Sequence, residues 1–267
     1  DACIRIKSGK DRSGRKEARP AENYTITNCT MLSGHGGVVI GSEMSGDVKK
    51  ITISNCVFDG TDRGIRIKTA RGRGGVVEDI RVSNVVMKNI KQQAIVLDMQ
   101  YAKTAKEPIS ERTPRFRNIH LSNITAQGKQ AGFLNGLEEM PIEDISFNDI
   151  VMETALGFDI KEVKNISFNN VSINAAKGPA IQAAQVEDLQ IIGLRTSKTF
   201  TDHPILALSN VQNVFITNAF PMAASNIFLK LEGADTKAIM LRSNNFSNAK
   251  IPVSMATEVN KKSVVND

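Results

Sequence analysis

The sequence has 267 residues, 41% hydrophobic and 23% charged, with two Tyr and no Trp. That composition excludes intrinsic disorder, and no apolar run reaches the roughly 18 residues needed to cross a bilayer. Charge is uneven: residues 1–120 hold 22 Lys and Arg against 13 Asp and Glu (+9), and residues 121–267 hold 12 against 15 (−3), giving the total of +6. A basic N-terminal part on a slightly acidic remainder calls for a polyanionic partner.

The chain opens inside a motif, Asp1-Ala2-Cys3-Ile4, so an N-terminal part is expected to precede it. Ile4-Arg5-Ile6-Lys7 alternates apolar and polar residues, the period of a strand with one buried face. Residues 8–20 are a basic excursion. A short phrase then begins to recur: Tyr24 to Cys29, Ile51 to Cys56, Ile80 to Val85, Ile119 to Ile124, Ile145 to Ile150 and Ile166 to Val171. Weaker copies run from Leu189 to Leu194, Val214 to Ala219 and Leu241 to Phe246. Copies lie 21 to 29 residues apart, except for one step of 39.

Each phrase alternates for about four residues and most close on Asn or Asp, residues that tolerate tight turns. Nothing recurs at helical spacing. Repeats of this length predict an all-β solenoid over residues 1–267, a single-stranded right-handed parallel β-helix. The long step holds a polar segment, 99–116, expected as a loop inserted on one face. Cys29 and Cys56 fall in the column otherwise filled by Val85, Ile124, Ile150, Val171 and Leu194, so they read as interior hydrophobes. The three cysteines have no metal-site spacing, and neither metal nor cofactor is expected.

A second strand lies between the phrases, and its copies stack: Ile4 to Lys7, Val38 to Gly41, Ile65 to Lys68 and Ile95 to Asp98. The alternation sends Arg66 and Lys68 to one outer face, about 7 Å apart along the strand, a clamp for a carboxylate. The competing reading is a solvated face in which Lys68 pairs with Asp98. Three residues before each strand's first apolar position stand Asp1, His35 and Asp62. Asp1 and His35 then occupy neighbouring coils, a carboxyl beside an imidazole, and the glycines around His35 let a chain-like ligand approach the backbone.

Three motifs in order carry a family resemblance: Asp1-Ala2-Cys3-Ile4 through Lys7-Ser8-Gly9, Gly34-His35-Gly36 and Arg66-Ile67-Lys68. They resemble the polygalacturonases, glycoside hydrolase family 28, in its bacterial form, over roughly residues 1–125. The resemblance implies inverting hydrolysis of α-1,4-galacturonosidic bonds in pectin. It makes Asp1 the general acid, His35 the residue that keeps that acid in its working state, and Arg66 and Lys68 the holders of the galacturonate carboxylate. Tyr101 resembles the tyrosine lining the sugar subsites. Ala2 replaces the second paired aspartate, and the Asn-Thr-Asp motif would lie before residue 1, so the chain alone is expected to be inactive or nearly so. A one-residue shift would instead make Asp1 that second aspartate.

The alternative function is a non-catalytic pectin-binding β-helix. No nucleic-acid signature or stacking platform accompanies the basic part, so the expected partner is an acidic polysaccharide, with no nucleic acid and no membrane. A pectate lyase would need clustered aspartates for calcium, which the sequence does not offer. Family habit implies a secreted or periplasmic monomer.

Overall fold

The computed structural model describes residues 1–266. The chain winds into a right-handed parallel β-helix of about nine coils. Ile4, Val38, Ile65, Ile95, Gly132, Phe158, Ile181, Leu206, Leu229 and Val253 stack in one column. The phrases stack in another, Tyr24–Ile51–Ile80–Ile119–Ile145 and Ile166–Leu189–Val214–Ile239–Val264. Apolar members of both columns point inward and form one continuous core along the axis. Each coil therefore buries its apolar face only against its neighbours, as in other solenoids.

The corners explain the asparagines. Asn28, Asn55, Asn84, Asn123, Asp149, Asn170, Gly193, Asn218 and Ser243 all adopt left-handed φ, between 50° and 68°. One such residue bends the strand without breaking the parallel ladder, and Asn and Asp tolerate this conformation best among side-chain-bearing residues. Their amides also bond along the stack: Asn84 donates to Asn55 Oδ1 at 3.1 Å and Asn123 to Asn84 Oδ1 at 2.7 Å. A second left-handed corner precedes each phrase, at Asn23, Lys50, Asp79, Asn118, Asp144, Asn165, Asp188, Asn213 and Ala238.

Cys56 is 2% exposed in line with Val85, and Cys29 packs partly buried at the end of that column. Two expectations change. The last phrase copy starts at Ile239, since Val214 pairs with Ile239 and Ile216 with Leu241; the copy at Leu241 to Phe246 is two residues out of register. The excursion at 8–20 holds a short helix, α1, Asp11–Glu17, in which only Gly14 is buried. A Cβ at Gly14 would lie 2.6 Å from the Gly9 carbonyl carbon, so the helix rests on backbone. Residues 99–114, between strands Val76–Asp98 and Arg115–Asn135, carry no strand. No helix among the described residues is long and apolar enough to cross a membrane.

The interior is best knitted at Phe147, Phe158 and Phe168. Phe147 stacks on Phe168 at 4.8 Å, and Phe158 meets both edge-on at 5.1 and 5.2 Å. Gly132 makes room for Phe158, whose ring carbons would lie 2.4 Å from a Cβ there. Phe168→Ala is expected to cost about 3–5 kcal/mol, read as a lower urea midpoint.

Candidate functional site

Strand Ile65–Lys68 alternates buried Ile65 and Ile67 with half-buried Arg66 and Lys68. The cations therefore face outward, as the alternation requires. Tyr101 arrives from the turn after Asp98, fixed by its backbone N–H donating to Thr69 O at 3.0 Å. Its ring centroid lies 4.1 Å from Lys68 Nζ and 5.6 Å from Arg66 Cζ, within cation–π range. Asp98 is engaged elsewhere, accepting from Gln100 N at 2.9 Å and Asn135 Nδ2 at 3.2 Å. The expected competitor therefore forms no ion pair with Lys68, although its charge acts on Arg66. Among the described residues neither Arg66 nor Lys68 forms an ion pair, and buried Arg66 Nε has no hydrogen-bond partner.

This leaves a cation cluster short of anions. Burial pushes the Lys68 ammonium down to about 8, helped by Arg66, Arg5, Lys7 and Arg63. Burial, then Arg63, also lowers Arg66, although a guanidinium stays charged at any working pH.

Beside the cluster, Asp1, His35 and Asp62 stand in successive coils. His35 N donates to Asp1 O at 3.0 Å, and Asp62 N to Gly34 O at 2.8 Å. The side chains of Asp1 and His35 turn to different partners. Asp1 Oδ1 accepts from Arg5 Nη2 at 2.6 Å, and His35 Nδ1 meets Asp62 Oδ2 at 2.8 Å. The His35 bond is the first cause holding the Asp62 carboxyl below its ordinary range. An ionised Asp62 can only accept, so the shared hydrogen resides on Nδ1 and Nε2 stands outside that bond. Ala2 offers no carboxylate. The offset that finds Asp1 and His35 also picks out Asp62, but spacing does not reveal which carboxylate the imidazole chooses. Arg5 is visible in the sequence only as a strand-face charge, and Arg63, two residues before strand Ile65–Lys68, carries no sequence signal.

The face is open. A cavity of about 340 Å³, lined by residues including Arg15, Ser45, Gly75 and Arg115, shares no residue with it. An open charged face crossing several coils fits a polymer better than an enclosed small molecule.

Fold and outward cation face together define a right-handed parallel β-helix with a surface suited to a polyanion. Residues 1–173 match the family model for glycosyl hydrolases family 28, and the chain belongs to that family. It is 34% identical over 163 residues to an endo-polygalacturonase of Pectobacterium carotovorum subsp. carotovorum, covering 61% of this chain and 37% of that protein. It is 30% identical over 158 residues to a probable polygalacturonase of Vitis vinifera, covering 58% and 32%. The crystal structure of a hyperthermoactive exopolygalacturonase from Thermotoga maritima matches with a TM-score of 0.54 and 31% identity, over 62% of this chain and 38% of that one. The chain spans about a third of the length of these relatives, from 32% to 38%.

Proposed function

We propose that the protein hydrolyses the α-1,4 bonds of polygalacturonate by an inverting acid–base mechanism, and that this chain supplies the face holding the uronate carboxylates. The observation that carries the reading is the unpaired, half-buried Arg66–Lys68 pair beneath Tyr101. Two partly dehydrated cations without partners are costly, and a planar carboxylate relieves that cost. Arg66 offers a fork and Lys68 a point charge. Tyr101 offers a ring for the apolar side of the sugar. A backbone of neutral sugars would leave both cations unused.

In this reading Asp1 is the acid that protonates the leaving oxygen. Its contact with Arg5 joins two exposed groups, worth about 0–1 kcal/mol, so it opens readily when substrate arrives. His35, oriented by Asp62, serves the acid through Nε2. Inversion needs a second carboxylate about 6.5–9.5 Å from the first to activate water. Ala2 does not supply it, so the chain alone is expected to release little or no sugar. An acidic cell-wall polymer as substrate supports a secreted or periplasmic protein, and the family resemblance a monomer. The second reading, a non-catalytic pectin-binding β-helix, rests on Ala2 alone.

Calorimetric titration with an oligogalacturonate and with a neutral oligosaccharide tests the reading, alongside a reducing-end assay. Saturable binding of the first only, with almost no new reducing ends, is expected. Equal binding of both ligands would remove the uronate reading. Brisk sugar release would remove the claim of inactivity.

A further inference from the structure

The two outward columns that carry Arg66 and Lys68 hold a second pair of cations two coils away. Arg5 pairs in register with Val39, and Val39 with Arg66. Gly41 pairs with Lys68, and Lys7 is the next residue in the Ile4–Ile6 register, opposite Gly41. The coil between contributes only Val39, which is buried, and Gly41, which has no side chain. A Cβ on Gly41 would come within 2.2 Å of Lys68 O, so a larger residue there would displace the Lys68 backbone. Two rungs of a parallel ladder span about 10 Å, longer than one pyranose ring.

From this register we infer that Arg5 and Lys7 form a second carboxylate clamp, which holds another uronate of the same polyuronate chain laid along the helix axis. The inference rests on the uronate reading of Arg66 and Lys68 and extends it to Arg5 and Lys7, to which the family resemblance assigns no role.

The present partners of the second clamp do not block it. Arg5 lies against Asp1, whose side chain is 88% exposed, and Lys7 against Glu43, 33% exposed. Exposed ion pairs of this kind are worth about 0–1 kcal/mol and exchange freely. Glu43 is also shared: Lys7, Arg73 and Lys10 all hold its carboxyl down, with the Lys7 hydrogen bond first. Arg73 also pairs with Asp11 at 3.3 Å, so Lys7 and Lys10 are left to share Glu43, which leaves charge for a ligand. The two pairs also sense each other, since Arg5 and Lys7 both help depress Lys68. A polymer already held at Arg66 and Lys68 presents its next carboxylates at high effective concentration, so even a weak second clamp adds affinity.

The test is a length series, from di- to hexagalacturonate, titrated into the chain and into two double variants, R5Q/K7Q and R66Q/K68Q. The Arg5 and Lys7 side chains are well exposed, and circular dichroism with a melting curve verifies the fold; R5Q alone replaces the double variant should it unfold. The wild type is expected to gain affinity with length. R5Q/K7Q is expected to bind the dimer as the wild type does, yet to hold the hexamer about tenfold more weakly. R66Q/K68Q is expected to lose both ligands. Wild-type affinity of R5Q/K7Q for the hexamer would overturn the second clamp and leave the first intact. Undiminished binding by R66Q/K68Q would instead overturn the uronate reading of the first clamp.

Discussion

Lys68→Met is expected to weaken oligogalacturonate binding about 30- to 100-fold while making the free protein more stable. The loss follows from removing one member of a half-buried charge contact, worth about 2–3 kcal/mol at the low end of such truncations. The gain follows from the site's cost. Lys68 is held near 8 by burial and by Arg66, Arg5, Lys7 and Arg63, below the value an unfolded chain gives it. Between pH 8 and about 10.4 the unfolded state binds more protons, so wild-type stability rises with pH across that window. Below pH 8 the full penalty is present, and methionine removes it while keeping most of the stem's packing.

The same group sets the pH dependence of binding. A bound carboxylate favours the ammonium form, so binding above pH 8 must take up a proton. Wild-type affinity is therefore expected to be flat from pH 6 to 7.5 and to fall as pH rises through 8, where an ordinary lysine would still be charged. Lys68→Met flattens that decline. A variant whose affinity declines as steeply as the wild type's would show that another group is responsible. A melting temperature lower than the wild type's at pH 7 would show that Lys68 is structurally favourable.

These contacts differ in how far the sequence reveals them. The register of Ile4, Val38, Ile65 and Ile95 is legible because strands alternate with period two and each copy is uninterrupted, which also fixes the outward face of Arg66 and Lys68. The error at the last phrase has the same origin. A slip of two residues keeps every side chain on its own face, so Ile239 and Leu241, 1% and 0% exposed, satisfy the pattern equally. Asn244 and Asn245 then imitate the corner that Ser243 makes. The second corner is hidden because Lys50 and Ala238 share it with Asn and Asp. Helix α1 shows no apolar stripe, since it docks through Gly14 alone. The choice of Asp62 by His35 joins side chains 27 residues apart and depends on rotamers that no spacing encodes.

The longest-range of these side-chain contacts carries the second large expectation. Arg71, three residues beyond Lys68, meets Glu139 in a two-pronged pair, Nε to Oε1 at 2.5 Å and Nη2 to Oε2 at 3.0 Å. The side chains are 13% and 7% exposed. Arg71 Nη1 also donates to Thr104 O at 3.3 Å, so the pair ties the segment that carries Tyr101 to the body of the helix. Glu139→Ala strands a buried guanidinium. Breaking a buried pair costs about 3–5 kcal/mol, and this pair's place at the rim of the coil lowers the expectation to about 2–3 kcal/mol. Since Arg71 holds the Glu139 carboxyl below its ordinary range, the pair's contribution is present at neutral pH and lost as acid protonates it. Glu139→Ala should therefore lose less stability than the wild type between pH 5 and 3. R71M/E139M is expected to recover most of the stability, because nothing charged remains buried, but not the tether to Thr104. Proteolysis within 99–114 should then stay faster than in the wild type, and oligogalacturonate affinity a fewfold weaker, as Tyr101 leaves Lys68. A Glu139→Ala midpoint shift within about 0.5 kcal/mol, the range of ordinary surface changes, would mean the pair is effectively solvated and the tether unimportant.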